Sequence, residues 1–109
     1  MDRNGELASF SSRGGEKFPL KPDVAAPGVN IYSGTARGSF IDVQEADAGM
    51  GFAAISGTSM ATPHVAGFCA LLKQKFPAIT TAQVKQTMAL RGHAKDFKTG
   101  WGIPQWSYF

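Results

Sequence analysis

The run of residues 56–67, SGTSMATPHVAG, constrains the fold most, because a glycine-serine turn leads straight into an apolar run. Before it, residues 51–55 (GFAAI) are short and apolar, which predicts a buried strand. After it, apolar residues recur at offsets of three and four and predict one helical face: Val65, Phe68, Cys69, Leu72 and Phe76. The pattern predicts a strand, a tight turn and a helix, with Ser59 where the helix begins.

Small residues occupy other positions of the predicted helix: Ala61, Ala66, Gly67 and Ala70. Side chains of this size allow another backbone to come close. We therefore expect this helix to be surrounded by other parts of a structure.

Ser59 is the candidate reactive residue of this segment. The first amides of a helix have no partner within the helix and carry partial positive charge, so they suit a developing oxyanion. Pro63 has no amide hydrogen to bond the Ser59 carbonyl, which predicts an irregular first turn. The alternative is that Ser59 or Thr58 only caps the helix.

Residues 57–67 closely resemble the nucleophile segment of the subtilisin-like serine peptidases. The resemblance implies that Ser59 attacks the scissile carbonyl and that its amide, with the Thr58 hydroxyl nearby, forms part of an oxyanion hole. Other motif positions are Gly57, Met60, Pro63 and Gly67. The resemblance also places the Met60 thioether against the reacting serine, where it is open to oxidation.

Three further segments are similar to the C-terminal part of the same family and follow in its order: residues 8–14, 21–28 and 100–102. The resemblance thus covers nearly the whole chain. It implies an α/β fold in which residues 1–109 form the C-terminal portion of a mostly parallel sheet with two helices, an incomplete domain.

A serine hydroxyl needs a base, normally a histidine oriented by a carboxylate. In the family the aspartate, the histidine and the oxyanion asparagine precede the serine, and no histidine precedes Ser59. His64 follows Ser59 by five residues, which places the two side chains about 140° apart around a helix. We therefore expect His64 to be structural, His93 to be solvated or to cap a helix, and the catalytic partners to be absent from this chain.

Composition favours one small globular domain, with 109 residues, 43% hydrophobic residues and a net charge of +3. The lysines between residues 73 and 98 are spaced as solvated helix faces, so we expect no nucleic-acid partner. The single cysteine, Cys69, is expected to act as a small hydrophobe. No stretch reaches transmembrane length and no signal peptide is recognised, so we predict no membrane partner; the family resemblance alone implies an extracellular location.

Residues 33–51 depart from the compact family pattern and are interpreted as an inserted loop or hairpin. Asp42, Glu45 and Asp47 raise the possibility of calcium binding, but their spacing matches no known loop signature, and a solvated turn is favoured. We predict neither a metal nor a cofactor.

The remaining pattern predicts short strands over residues 7–11 and 29–33. Thr80 and Gln83 form a capping-box pattern that opens a second helix, with Val84 and Met88 inward, and Gly92 ends it. The aromatic tail, residues 101–109, is interpreted either as core that wraps back or as exposed surface.

Two functions follow from the sequence. In the first, the chain belongs to a serine endopeptidase that cleaves peptide or protein substrates, and its partner is the missing N-terminal part of the catalytic domain or a second copy. In the second, the chain is a catalytically silent fragment that acts as a structural or interaction module.

Overall fold

The computed structural model describes residues 1–41 and 51–109. These residues form two strands, two α-helices and one short 3₁₀ helix: β1 (Ile31–Gly34), β2 (Phe52–Ile55), α1 (Thr58–Lys75), α2 (Thr81–Arg91) and the 3₁₀ helix Trp106–Tyr108. The mixed α/β class is confirmed.

The two strands are antiparallel, with Ile31 opposite Ile55 and Gly34 opposite Phe52. The mostly parallel sheet expected from the family resemblance is not confirmed, because the only strand pair in the described part of the chain is this hairpin. The acidic residues considered for calcium, which fall within 42–50, lie outside the described residues.

Helix α1 begins and ends as predicted. Phe76 is its C-cap, directly before Pro77, and the Phe76 amide donates to the Leu72 carbonyl. Leu72 is fully buried, and the predicted apolar face around it is largely half-buried, at Val65, Phe68 and Cys69. The opposite side, here called the small-residue face (Pro63, Ala66, Gly67 and Ala70), is exposed.

Helix α2 has both hydrogen bonds of the predicted capping box. The Gln83 amide donates to the Thr80 hydroxyl at 3.2 Å, and the Thr80 amide donates to the Gln83 side chain at 2.9 Å. Met88 is buried and Val84 half-buried, as expected. Gly92 ends the helix in an extended conformation, and a Cβ there would lie 2.3 Å from the Trp101 carbonyl oxygen. Close approach of the tail therefore requires glycine at this position.

The aromatic tail wraps back onto α1. Trp106 and Phe109 both meet Phe68 edge-on, with ring centroids 5.9 and 5.7 Å away, and Lys75 Nζ lies 5.0 Å from the Trp106 ring centroid. Trp106 remains 45% exposed. The tail is thus partly core and partly surface.

The strand predicted over residues 7–11 is wrong. The Ser11 amide donates to the Ala8 carbonyl at 3.1 Å, which closes a turn, and Phe10 is half exposed. This serine-rich run has no partner strand against which to bury an alternating face.

Asp23 joins three parts of the chain. Its carboxylate lies 2.7 Å from Lys21 Nζ, 3.5 Å from Lys85 Nζ on α2 and 3.1 Å from Lys95 Nζ. Lys95 also donates to the Leu20 carbonyl. The interpretation of the basic residues as solvated helix faces is therefore wrong for Lys95, which lies after α2 and pairs with an acid 72 residues earlier, whereas Lys85 is on α2 and remains exposed.

The protein exposes more surface than a compact chain of its size. Its accessible surface is 7556 Å², whereas about 5800 Å² is expected for a mass of 11.6 kDa. The radius of gyration is 16.0 Å against about 13 Å expected. Fully buried apolar residues in the described ranges are few: Ala26, Ala53, Leu72 and Met88. None of the helices described combines the length and apolar character that crossing a membrane requires.

We predict that acid weakens the fold through Asp23. Partial burial raises the pKa of Asp23, but hydrogen bonds from Lys21 and Lys95 and the charge of Lys85 outweigh it and lower the pKa from 3.8 to about 2. The unfolded state therefore binds more protons between these values, so the contribution is present above pH 4 and lost as pH falls to about 2. Urea unfolding from pH 2 to 7, followed by tryptophan fluorescence, is expected to show a loss on the order of 2 kcal/mol.

Asp23→Asn is expected to remove most of this pH dependence. Glu16→Gln is the matched control, because Glu16 is an exposed carboxylate without an ion pair among the described residues. Equal pH dependence in Asp23→Asn and the unmodified chain would contradict the assignment.

Candidate active site

Ser59 is the second residue of α1, and its side chain is exposed. Within the described residues, the amides of Thr58 and Ser59 have no hydrogen-bond partner, whereas the Met60 and Ala61 amides both donate to the Gly57 carbonyl, at 3.0 and 3.3 Å. A hydroxyl thus stands beside two free donors at the positive end of a helix of 18 residues.

Pro63 lies inside the helix, as predicted, and leaves the Ser59 carbonyl without its helical donor. The Thr62 hydroxyl donates to the Thr58 carbonyl at 2.9 Å. The first turn is irregular, as predicted. The Gly57 carbonyl oxygen accepts both the Met60 amide, three residues on, and the Ala61 amide, four residues on.

The turn before Ser59 rests on Gly28. The Gly57 amide donates to the Gly28 carbonyl at 2.8 Å. A Cβ at Gly28 would lie 2.8 Å from the Gly57 carbonyl oxygen and 3.2 Å from the Ala61 Cβ. No side chain fits between the two segments, so glycine at residue 28 sets how closely the loop supports the start of α1.

A second contact ties the same segments together. The Asn30 amide donates to the Ser56 hydroxyl oxygen at 2.8 Å. Asn30 has a φ of 51°, in the left-handed region that asparagine tolerates better than most residues. This bond lies one position beyond the last strand pair, Ile31 with Ile55.

Met60 folds back over the turn. A Cβ built on Gly57 would lie 3.4 Å from the Met60 Sδ atom, in van der Waals contact. The thioether is therefore close to the residue that precedes Thr58 and Ser59. Gly67, two turns further along α1, has open space where a Cβ would be.

Neither histidine bonds the Ser59 hydroxyl. His64 Nδ1 lies 2.9 Å from the Met60 carbonyl oxygen. His93 lies in the loop after α2, where Nδ1 is 2.8 Å from the Ala94 carbonyl oxygen and Nε2 is 3.3 Å from the Thr99 hydroxyl. Both side chains are exposed, and each is bonded to a nearby backbone carbonyl and not to Ser59.

The Ser59 hydroxyl has no acid or base bonded to it in the described parts of the chain. In the same residues, no group of three or more histidine, cysteine, aspartate or glutamate side chains is arranged to hold a metal ion. Ser59 therefore has free amides nearby but no residue here that takes its proton.

Two of the depressions beside the helices are relevant to the position of Ser59. One of about 210 Å³ lies between residues 7–12 and the start of α1, and touches Gly57, Thr58 and Ala61. The other, of about 460 Å³, lies between α1 and α2 on the Leu72 side and is mainly apolar. Because Ser59 is on the opposite side of α1, the apolar cavity is not part of the candidate active site.

Comparison with known proteins assigns this arrangement to a family. Residues 1–102 match the subtilase family. M-protease of Shouchella clausii is 42% identical over 101 residues, which cover 93% of this chain and 20% of that protein. Thermostable alkaline protease of Halalkalibacterium halodurans is 41% identical over 86 residues, covering 79% and 19%. Serine protease AprX of Bacillus subtilis is 45% identical over 85 residues, covering 75% and 19%.

The chain belongs to the subtilase family, a family of serine proteases, and the predicted relationship is confirmed. It spans about a fifth of the length of these curated relatives.

Sequence reasoning identified the turn but missed what supports it. Gly28 lies within the segment 21–28 that resembles the family, yet nothing in its surroundings indicates a contact with Gly57. Asn30 and Ser56 stand 26 residues apart, and both residue types are common in turns. The one available signal was their position next to the predicted strands.

We predict opposite effects for two glycine-to-alanine changes. Gly28→Ala is expected to push the Gly57 turn away and lower the free energy of unfolding by about 1–3 kcal/mol. Gly67→Ala adds a methyl group to open space in a helix and is expected to raise it by about 0.5–1 kcal/mol. Chemical unfolding of both variants measures the difference, and a stable Gly28→Ala chain would show that the close approach is not required.

Proposed function

We propose that the chain is the nucleophile-bearing part of a subtilisin-like serine endopeptidase domain, with residues 1–109 as a partial domain. Ser59 is the nucleophile, and its amide, beside the Thr58 hydroxyl, forms part of the oxyanion hole. Gly57, Met60, Pro63 and Gly67 shape this segment. The observation that carries the proposal is the exposed Ser59 hydroxyl next to two amides, at the start of α1, that have no partner among the described residues.

The base, its carboxylate partner and a further oxyanion donor come from polypeptide outside these residues. Support comes from the absence of any acid or base bonded to Ser59 in the described ranges. The proposed substrate is a peptide or protein, in keeping with the serine proteases to which the chain is similar.

The reaction follows from these groups. The external base takes the Ser59 proton while Oγ attacks the peptide carbonyl carbon, and the resulting oxyanion accepts from the Ser59 amide. The carbon–nitrogen bond then breaks, and the base returns the proton to the leaving amine. Water, deprotonated by the same base, releases the acyl group and restores the Ser59 hydroxyl.

We predict that Ser59 reacts with a fluorophosphonate only when the missing groups are supplied. The 109-residue chain is mixed with the part of M-protease that precedes the matched region, which carries no copy of this segment. Labelling is expected in the mixture and at most weakly in the chain alone, because the hydroxyl is a poor nucleophile without a base.

Ser59→Ala is expected to abolish labelling, whereas His64→Gln is expected to retain it. Labelling that survives Ser59→Ala would place the reactive group elsewhere. An unlabelled complex, with both parts eluting together from a sizing column, would reject the assignment of Ser59 as an activated nucleophile.

The second candidate function, an interaction module without catalysis, is favoured by the exposed surface of the chain. The small-residue face of α1 is exposed, and the chain has roughly 1700 Å² more accessible surface than its mass requires. A surface of this kind stabilises association with another chain.

We predict that the isolated chain self-associates. Ala66→Lys places a charge on the small-residue face and is expected to weaken association at least tenfold in sedimentation experiments, because a buried lysine is costly. Gln86→Lys adds the same charge on exposed α2 and serves as the control. A monomer that unfolds cooperatively would contradict this prediction.

A further inference from the structure

The end of the β1–β2 hairpin is fastened to the turn before Ser59 at consecutive positions. Ile31 pairs with Ile55, the Asn30 amide donates to the Ser56 hydroxyl, and the Gly57 amide donates to the Gly28 carbonyl. The contacts therefore continue past the last strand pair, up to the residue that caps α1.

We propose that Ser56 and Asn30 are positioning residues for Ser59, an inference that rests on the proposed peptidase function. Their hydrogen bond, here called the clasp, fixes the direction in which the chain leaves β2 and enters α1. Ser59 follows Ser56 by only three residues, so a rotation at Ser56 redirects both the hydroxyl and the free amides. Neither Ser56 nor Asn30 touches the substrate's reacting atoms in this scheme.

The backbone of Asn30 explains why the clasp needs both partners. Asn30 lies directly before β1 in the left-handed conformation, and without the Ser56 hydroxyl its amide would have no partner among the described residues. A left-handed conformation is unfavourable for a residue with a side chain, so loss of the bond to the hydroxyl favours release of the loop.

Gly28 fixes the position of the clasp from the other side. Its Cα lies so close to the Gly57 carbonyl that no side chain fits, and the Gly28 amide donates to the Met1 carbonyl at 3.0 Å. The bond to Met1 thus holds segment 28–30 in place, and this segment in turn bonds Ser56 and Gly57. The turn has no side-chain cap bond of its own at Gly57, so its orientation depends on this external support.

Matched variants separate the hydroxyl from the size of the side chain. Ser56→Ala removes the acceptor, whereas Ser56→Thr keeps it. Asn30→Val disfavours the left-handed backbone, whereas Asn30→Gly preserves both that backbone and the amide donor. Ser33→Ala, at an exposed serine of β1 with no hydroxyl bond in the described structure, is the control.

The first measurement needs no activity. Amide hydrogen exchange of the 109-residue chain, mixed with the preceding part of M-protease, is read at residues 30 and 57. We expect both amides to exchange at least about fivefold faster in Ser56→Ala and Asn30→Val, and at the unmodified rate in Ser56→Thr, Asn30→Gly and Ser33→Ala. Unchanged exchange in Ser56→Ala overturns the clasp.

The second measurement is the rate of fluorophosphonate labelling of Ser59 in the same mixture. Ser56→Ala and Asn30→Val are expected to lower the maximal rate about 5- to 100-fold with little change in the half-saturating probe concentration, and Ser56→Thr restores it. Faster exchange without a slower maximal rate would reject the positioning role. If the two parts elute together and the unmodified complex is not labelled, the proposed function fails and the positioning role is overturned with it, while the exchange data still decide whether the hydrogen bond exists.

Discussion

The structure around Ser59 depends on one peptide unit, the backbone of Gly57. Its carbonyl accepts the first two amides that are bonded in α1, and its amide donates to Gly28. The helix thereby starts at Thr58, and the amides of Thr58 and Ser59 have no partner among the described residues. A helix that began one residue earlier or later would rotate the hydroxyl by about 100° and change which amides lack partners.

Features encoded by neighbouring residues were predicted well. The limits of α1 follow from a glycine turn at one end and Phe76-Pro77 at the other, and those of α2 follow from its capping box and Gly92. Each signal lies within four residues of its effect. The same locality identified the Ser59 segment, because its chemistry depends on a helix start that can be read from the sequence.

Contacts between distant residues could not be predicted. Asp23 meets Lys95 across 72 residues, and nothing in the residues next to either one indicates the pair. The strand predicted over residues 7–11 failed for a related reason, since alternation specifies a strand only where another strand is available to pair. The requirement for glycine at residue 28 could not be predicted either, because it comes from close contact with the distant Gly57.

Under the proposed function, the exposed helix face and the external origin of the catalytic partners have one structural explanation. Around α1, the directions of Ser59, Pro63, Ala66 and Ala70 fall within about 60° of one another, so the hydroxyl continues the line of the small-residue face. A polypeptide that packs along this face reaches Ser59 at its end. The same packing excludes water there and strengthens hydrogen bonds to the free amides. Under the proposed function, completion of the fold and delivery of a proton acceptor are therefore expected to be a single event, which would account for small side chains on the side of the helix that carries the proposed nucleophile.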